Sequence, residues 1–167
     1  MLKKAGLMAN KHFTILSIEN NVPDFNLLKE ALLQIPDLDL DIINITNGKE
    51  SLDFIFKNLH FDNRPYPDLI ILDINLPVID GYDILRKIKN SNLYRSIPVI
   101  MYSTSDAEKD IKESYHLYAN SYIIKSFDID DLFKKIANMG EYWLKTEELP
   151  KNGICLIKKN KIHGERE

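Results

Sequence analysis

The 167 residues hold a single cysteine, Cys155, so no disulfide can form within the chain, and no Cys/His spacing of a metal-binding motif surrounds it. That pattern is expected of a protein kept in a reducing cytoplasm. No apolar stretch approaches the ~20 residues of a membrane span, and Lys3 and Lys4 are not followed by the apolar run of a signal peptide. A membrane is therefore not expected as a partner. With only 6 glycines and 7 prolines the chain is not a low-complexity or fibrous polypeptide. Charge of one sign is lacking too: 22 Lys and Arg against 25 Asp and Glu leave a net −3, which offers no general attraction to nucleic acid. Lys151, Lys158, Lys159, Lys161 and Arg166 near the end read as a solvated charged tail. His12, His60, His116 and His163 are too scattered to suggest a metal site.

What remains is enough hydrophobic sequence for one ordinary domain with a proper core. Five short apolar runs rich in β-branched residues predict strands: Phe13–Ile18, Leu40–Ile45, Leu69–Leu72, Val99–Tyr102 and Tyr122–Ile124. Three are almost continuously apolar, the mark of strands covered on both faces of a parallel sheet. Helical spacing lies between them. One stripe is Phe25, Leu28, Leu32 and Ile35, and a second is Leu52, Ile55, Phe56 and Leu59. A third is Ile84, Leu85 and Ile88. A weaker one runs from Ala107 to Leu117, and a fifth begins near Asp128 and uses Leu132, Phe133, Ile136, Met139 and Trp143. Strand–helix alternation predicts an α/β fold, a doubly wound (βα)5 parallel sheet of the flavodoxin-like class in the order 2-1-3-4-5. The boundaries read as an N-terminal extension over 1–11, one domain over 12–146, and a tail over 147–167 with a short apolar patch, Ile154–Ile157.

Functional residues of such folds collect at the carboxyl ends of the strands. Here those ends carry Glu19-Asn20, Asp73-Ile74-Asn75, Ser103-Thr104 and Lys125. Each alone reads as a loop cap or a solvated residue; together they form a set suited to phosphoryl transfer. Glu19, the Asn20 amide oxygen, Asp73 and the main-chain carbonyl of Asn75 are hard oxygen donors of the kind Mg²⁺ takes. Asp73 can attack phosphorus as a carboxylate nucleophile. Lys125 and the Ser103 hydroxyl can stabilise the phosphoryl oxygens.

The string Leu72-Asp73-Ile74-Asn75-Leu76-Pro77-Val78-Ile79-Asp80-Gly81, with Pro98-Val99-Ile100-Met101-Tyr102-Ser103 and Tyr122-Ile123-Ile124-Lys125, resembles the receiver domains of two-component response regulators from about Phe13 to Leu144. The resemblance implies that Asp73 is the phosphoacceptor, Lys125 and Ser103 the groups that stabilise the phosphoryl, and Ser103 and Tyr122 the switch pair. It further implies a histidine kinase or phosphotransfer protein as donor, and a readout in the fourth helix, fifth strand and fifth helix, from Ala107 to Phe133. Such a protein is not an enzyme beyond promoting its own phosphorylation and dephosphorylation. The closing Glu141-Tyr142-Trp143-Leu144-Lys145-Thr146 with Leu149-Pro150 is similar to stand-alone regulators that serve phytochrome-type kinases. That similarity implies no output domain and a possible homodimer.

Two residues depart from the family pattern. Asn20 stands where an aspartate ligand is usual, so weaker Mg²⁺ binding is expected, and a degenerate receiver acting as a phosphorylation-independent interaction module is the alternative. Ser126 replaces the proline whose peptide bond is cis. Without proline that form costs ~2.5–4 kcal/mol, and a trans Lys125–Ser126 bond in a reshaped loop is expected. Two other classes fit poorly. A flavin phosphate needs a Gly/Ser/Thr-rich turn after the first strand, where Glu19-Asn20-Asn21-Val22-Pro23-Asp24 stands. An aspartyl phosphohydrolase needs an acid at position 75.

Overall fold

The computed structural model describes residues 11–58 and 66–150. Among them, five parallel strands, β1 (Lys11–Ile18), β2 (Leu38–Ile45), β3 (Leu69–Leu72), β4 (Val99–Ser103) and β5 (Ser121–Ile124), form one sheet in the order β2-β1-β3-β4-β5. Helices α1 (Val22–Leu33), α2 (Gly48–Asp53), α3 (Gly81–Asn90), α4 (Glu108–His116) and α5 (Ile129–Glu141) fill the crossovers. The hydrogen bonding of α2 and α5 widens into a π-helical turn, at Phe54–Asn58 and Tyr142–Thr146. This is the flavodoxin-like arrangement expected from the strand–helix alternation.

The helices begin where short polar side chains can accept an otherwise unpaired backbone N–H. Asn21 caps α1, Asn47 caps α2, Asp80 caps α3 and Asp128 caps α5. Helix α4 starts at Ala107 with no side-chain cap and buries only Ser114, which explains its weak apolar stripe.

Alternation along the strands divides the core. Leu16, Ile18, Ile70, Leu72, Val99 and Met101 meet Leu52, Ile84, Leu85 and Ile88 on one face. Ile15, Leu69, Ile71, Ile100 and Tyr102 meet Leu28, Leu32, Leu132 and Ile136 on the other. Each fully buried Leu or Ile contributes roughly 1.5–3 kcal/mol. Two of the continuous apolar runs, Leu69–Leu72 and Val99–Tyr102, are central strands buried on both faces, whereas Tyr122–Ile124, equally apolar, is a half-buried edge, as β2 is on the other side. The central β1 buries Thr14 and Ser17 among its apolar residues.

Some boundaries differ from the sequence reading. Ile35 lies beyond the end of α1, yet stays buried because its side chain fits against Gly140 of α5, where a β-carbon would collide with it. Ser103 is the last residue of β4 and not the first of the loop. Leu59, the patch Ile154–Ile157 and the basic residues after Pro150 lie outside the described residues. No helix among the described residues is long and apolar enough to cross a membrane.

Candidate functional site

Register and parity bring the polar strand ends together. Ser17 pairs with Ile71, and Ile18 with Leu72, so Glu19 and Asp73, one residue further on, leave adjacent strands side by side. Both follow a residue of the first core layer and therefore point toward the α1/α5 face, as Tyr102 does. The backbone N–H groups of Glu19, Asp73 and Lys125 donate to Ile45, Ile18 and Ser103 carbonyls at 3.0, 3.0 and 2.8 Å, which makes these residues a last rung of the sheet.

Lys125 reaches back over this rung. Its Nζ lies 2.6 Å from Glu19 Oε2 and 2.9 Å from Asp73 Oδ2, with all three side chains buried. A third carboxylate, Asp24 Oδ2 from the first turn of α1, stands 2.9 Å from the same ammonium. Beneath it lies the ring of Tyr102, with its centroid 4.8 Å from Nζ. Burial alone would depress the Lys125 pKa, but hydrogen bonds to Glu19 and Asp24 and the attraction of Asp73 outweigh it, and the group is held well above the ordinary lysine range. Burial pushes the Glu19 carboxyl up, and Lys125 and the Asn21 N–H only partly offset that push.

The loop after β3 folds tightly around Asp73. The Asn75 N–H donates to Asp73 Oδ1 at 3.3 Å, and Gly81 N–H returns to the Ile74 carbonyl at 2.8 Å. Gly81 is required by close approach, because a β-carbon there would overlap the main-chain oxygen of Asp73. Val78 takes φ 71°, with Ile79 N–H bonded to the Pro77 carbonyl across it at 2.9 Å. A β-branched residue in that region is strained.

Ser103 is fully buried, and its Oγ accepts from Ser105 N–H at 3.3 Å. Tyr122 lies half-buried on the neighbouring strand, its hydroxyl donating to the Ser105 carbonyl at 2.9 Å. Burial raises the Tyr122 phenol, with the Ser103 hydroxyl acting against that shift. The sequence-predicted residues thus fall into two groups: Glu19, Asp73 and Lys125 in direct contact, and Ser103 with Tyr122 around the loop that follows β4. Asn20 and Asn75 are exposed at the rim. The Lys125–Ser126 peptide is trans, as expected without proline.

The donor set suits a small divalent cation. When all groups are ionised, one ammonium against three carboxylates leaves two negative charges in the cleft. Among the described residues no three His, Cys, Asp or Glu side chains stand in a metal-coordinating arrangement. A cation here would accordingly rest on one or two carboxylates, amide and carbonyl oxygens and water, the manner in which Mg²⁺ is usually held.

Residues 15–137 match the response regulator receiver domain. The chain belongs to that family. Its similarity to the response regulator Rcp1 of Synechocystis is 35% identity over 142 residues, covering 85% of this chain and 96% of Rcp1. Among solved structures, the phosphorylated cyanobacterial phytochrome response regulator RcpA shares 36% identity and a TM-score of 0.78, covering 84% of this chain and all of RcpA. The Mn²⁺-bound form of Rcp1 shares 35% identity and a TM-score of 0.77, covering 83% of this chain and 99% of that one. The sequence motifs had pointed to the same phytochrome-associated relatives.

Two features of this receiver's cleft escaped sequence reading. Asp24 reads as an ordinary acid in the first turn of a helix, where the macrodipole favours it. Tyr102 reads as a buried strand aromatic. The only sequence signal for either is parity: Tyr102 shares its face with Asp73 and Lys125.

Proposed function

We propose that this receiver is a response regulator that accepts a phosphoryl group on Asp73 from a phosphohistidine of a sensor histidine kinase or phosphotransfer protein, with Mg²⁺ as cofactor. The observation that carries the reading is the Lys125 ammonium, held 2.9 Å from Asp73 Oδ2 and 2.6 Å from Glu19 Oε2 in a buried cleft. An Asp73 carboxylate oxygen attacks phosphorus, the P–N bond to the donor imidazole breaks, and its electron pair returns to the nitrogen. Lys125 moves its hydrogen bond from Asp73 to a phosphoryl oxygen as charge develops there. Glu19, Asp73, the Asn75 main-chain carbonyl and the Asn20 amide oxygen would hold Mg²⁺, which would supply positive charge beside the same oxygens. Asp73 is 6% exposed, so little bulk water reaches the reacting carboxylate.

In this reading the acyl phosphate draws the Ser103 hydroxyl toward it, Tyr122 gives up the Ser105 carbonyl and turns inward, and the α4–β5–α5 surface changes shape. The phosphoryl group carries about −1.5 to −2 charge, enough to bias a small two-state element. The relatives' names support a light-sensing kinase as donor, and self-association is read by light scattering of the chain with and without phosphoryl.

Asn20 favours a second reading, in which the fold acts as an interaction module that takes no phosphoryl group. Acetyl phosphate with Mg²⁺ decides between them. A mass gain of one phosphoryl group that disappears in Asp73→Ala is the expected result; an unmodified wild-type chain would replace the first reading with the second.

A further inference from the structure

The ammonium of Lys125 has three carboxylate partners, and only two of them, Glu19 and Asp73, belong to the donor set described above. The third, Asp24, sits at the rim, with its side chain 27% exposed. Its place is fixed locally, because its own N–H donates to the Asn21 side chain at 3.1 Å in the first turn of α1. The floor of the cleft does little to fix the ammonium sideways. It is the face of Tyr102, a residue 1% exposed whose hydroxyl has no hydrogen-bond partner among the described residues. An aromatic face attracts a cation without selecting one direction in its plane. Lateral position therefore falls to the carboxylates.

We propose that Asp24 is a positioning residue for Lys125: it keeps the ammonium at the cleft when an incoming cation and phosphoryl group claim Glu19 and Asp73. This inference rests on the receiver reading of the site. Without Asp24, Lys125 has only Glu19 and Asp73 to pair with and competes for both with the arriving cation. With Asp24 present, the lysine retains one partner outside the donor set, and its release of the other two is eased. Asp24 thus acts on cation binding through Lys125 and not by contact with the cation.

A double-mutant cycle read by calorimetric titration with Mg²⁺ tests this on the full chain. Asp24→Asn is expected to weaken Mg²⁺ binding about three- to tenfold, and Asp24→Glu to restore most of the loss. In a Lys125→Gln background the same Asp24→Asn change is expected to do almost nothing. Thermal melts of each variant verify folding, and Asp24→Glu keeps the charge should the asparagine variant fold poorly. An equal loss in both backgrounds overturns the proposal, as does no loss in the wild-type background or a wild-type chain with no measurable Mg²⁺ binding. Failure of the receiver reading looks different: the wild-type chain then gains no phosphoryl group from acetyl phosphate. A chain that is phosphorylated on Asp73 but whose Mg²⁺ affinity ignores Asp24 sinks this inference alone.

Discussion

Gly81 lies flat against the main-chain carbonyl of Asp73, leaving no room for a side chain between the start of α3 and the end of β3. No described glycine in the fold has a positive φ, so the requirement is one of space and not of backbone conformation. Gly81→Ala must push α3 away from Asp73. The expected outcome is a loss of about 2–3 kcal/mol in denaturant unfolding. With Asp73 as the proposed phosphoacceptor, displacing it by about 1 Å is expected to slow phosphoryl uptake on the order of a hundredfold. Normal uptake in a destabilised variant would show that α3 does not set the aim of Asp73.

Val78 offers the opposite case. It is 79% exposed and held at φ 71° by the turn between Pro77 and Ile79. Glycine adopts that conformation freely and loses no packing there. Val78→Gly is expected to stabilise the chain by about 1 kcal/mol, the relief of strain being partly cancelled by the entropy of the unfolded glycine. A melting temperature that falls instead would locate the strain elsewhere in the loop.

The exposed Asn20 makes a direct prediction about metal. A carboxylate about 4 Å from a cation gains roughly 4 kcal/mol of attraction per unit charge at an effective dielectric near 20, before desolvation. Mg²⁺ carries two such charges, and if about a sixth of the resulting ~8 kcal/mol survives, Asn20→Asp tightens Mg²⁺ binding about tenfold. Titration calorimetry measures it. Unchanged affinity would mean that position 20 does not face the cation at all.

Lys89 carries a pH signature at the far end of the sheet. Its Nζ donates to the carbonyls of Arg95 and Ile97 and to Asn120 Oδ1, at 3.3, 2.7 and 2.8 Å, all neutral acceptors. Burial without a counter-charge lowers its pKa to about 8. The unfolded chain, with an ordinary lysine, then binds more protons than the folded one between about pH 8 and pH 10, so folding stability gains from this group as pH rises through that window. Lys89→Met removes the gain. The stability gap between wild type and variant should widen by about 1 kcal/mol from pH 7.5 to pH 9.5, a figure reduced for the partial exposure of the side chain. A constant gap would mean that Lys89 titrates normally.

Much of this was legible in the sequence, for a physical reason. A short strand buried on both faces, such as Leu69–Leu72, is continuously apolar, and Asp73 announces itself as the first polar residue after it. Lys125 stands out in the same way after Tyr122–Ile124, although that edge strand is only half-buried. The segment from Asp73 to Gly81 is legible because its turn and the close approach at Gly81 tolerate few residue types. Asp24 was not legible. Its partner lies 101 residues away, and only the packing of α1 beside the β5–α5 connection brings the two together. Tyr102 hid among core aromatics. The reach of Lys125 toward Glu19 could be anticipated, while the number of carboxylates it serves could not.

The hydrogen bonds that hold the backbones of Glu19, Asp73 and Lys125 to their neighbouring strands impose a limit on signalling. These three residues cannot part company unless the sheet begins to unzip, so the scaffold behaves as a rigid bench on which only side chains and loops are free to be reset. Amide deuterium uptake at the three positions should then be equally slow with and without a phosphoryl group on Asp73, and any change that the proposed switch makes should be confined to the segments that leave the bench.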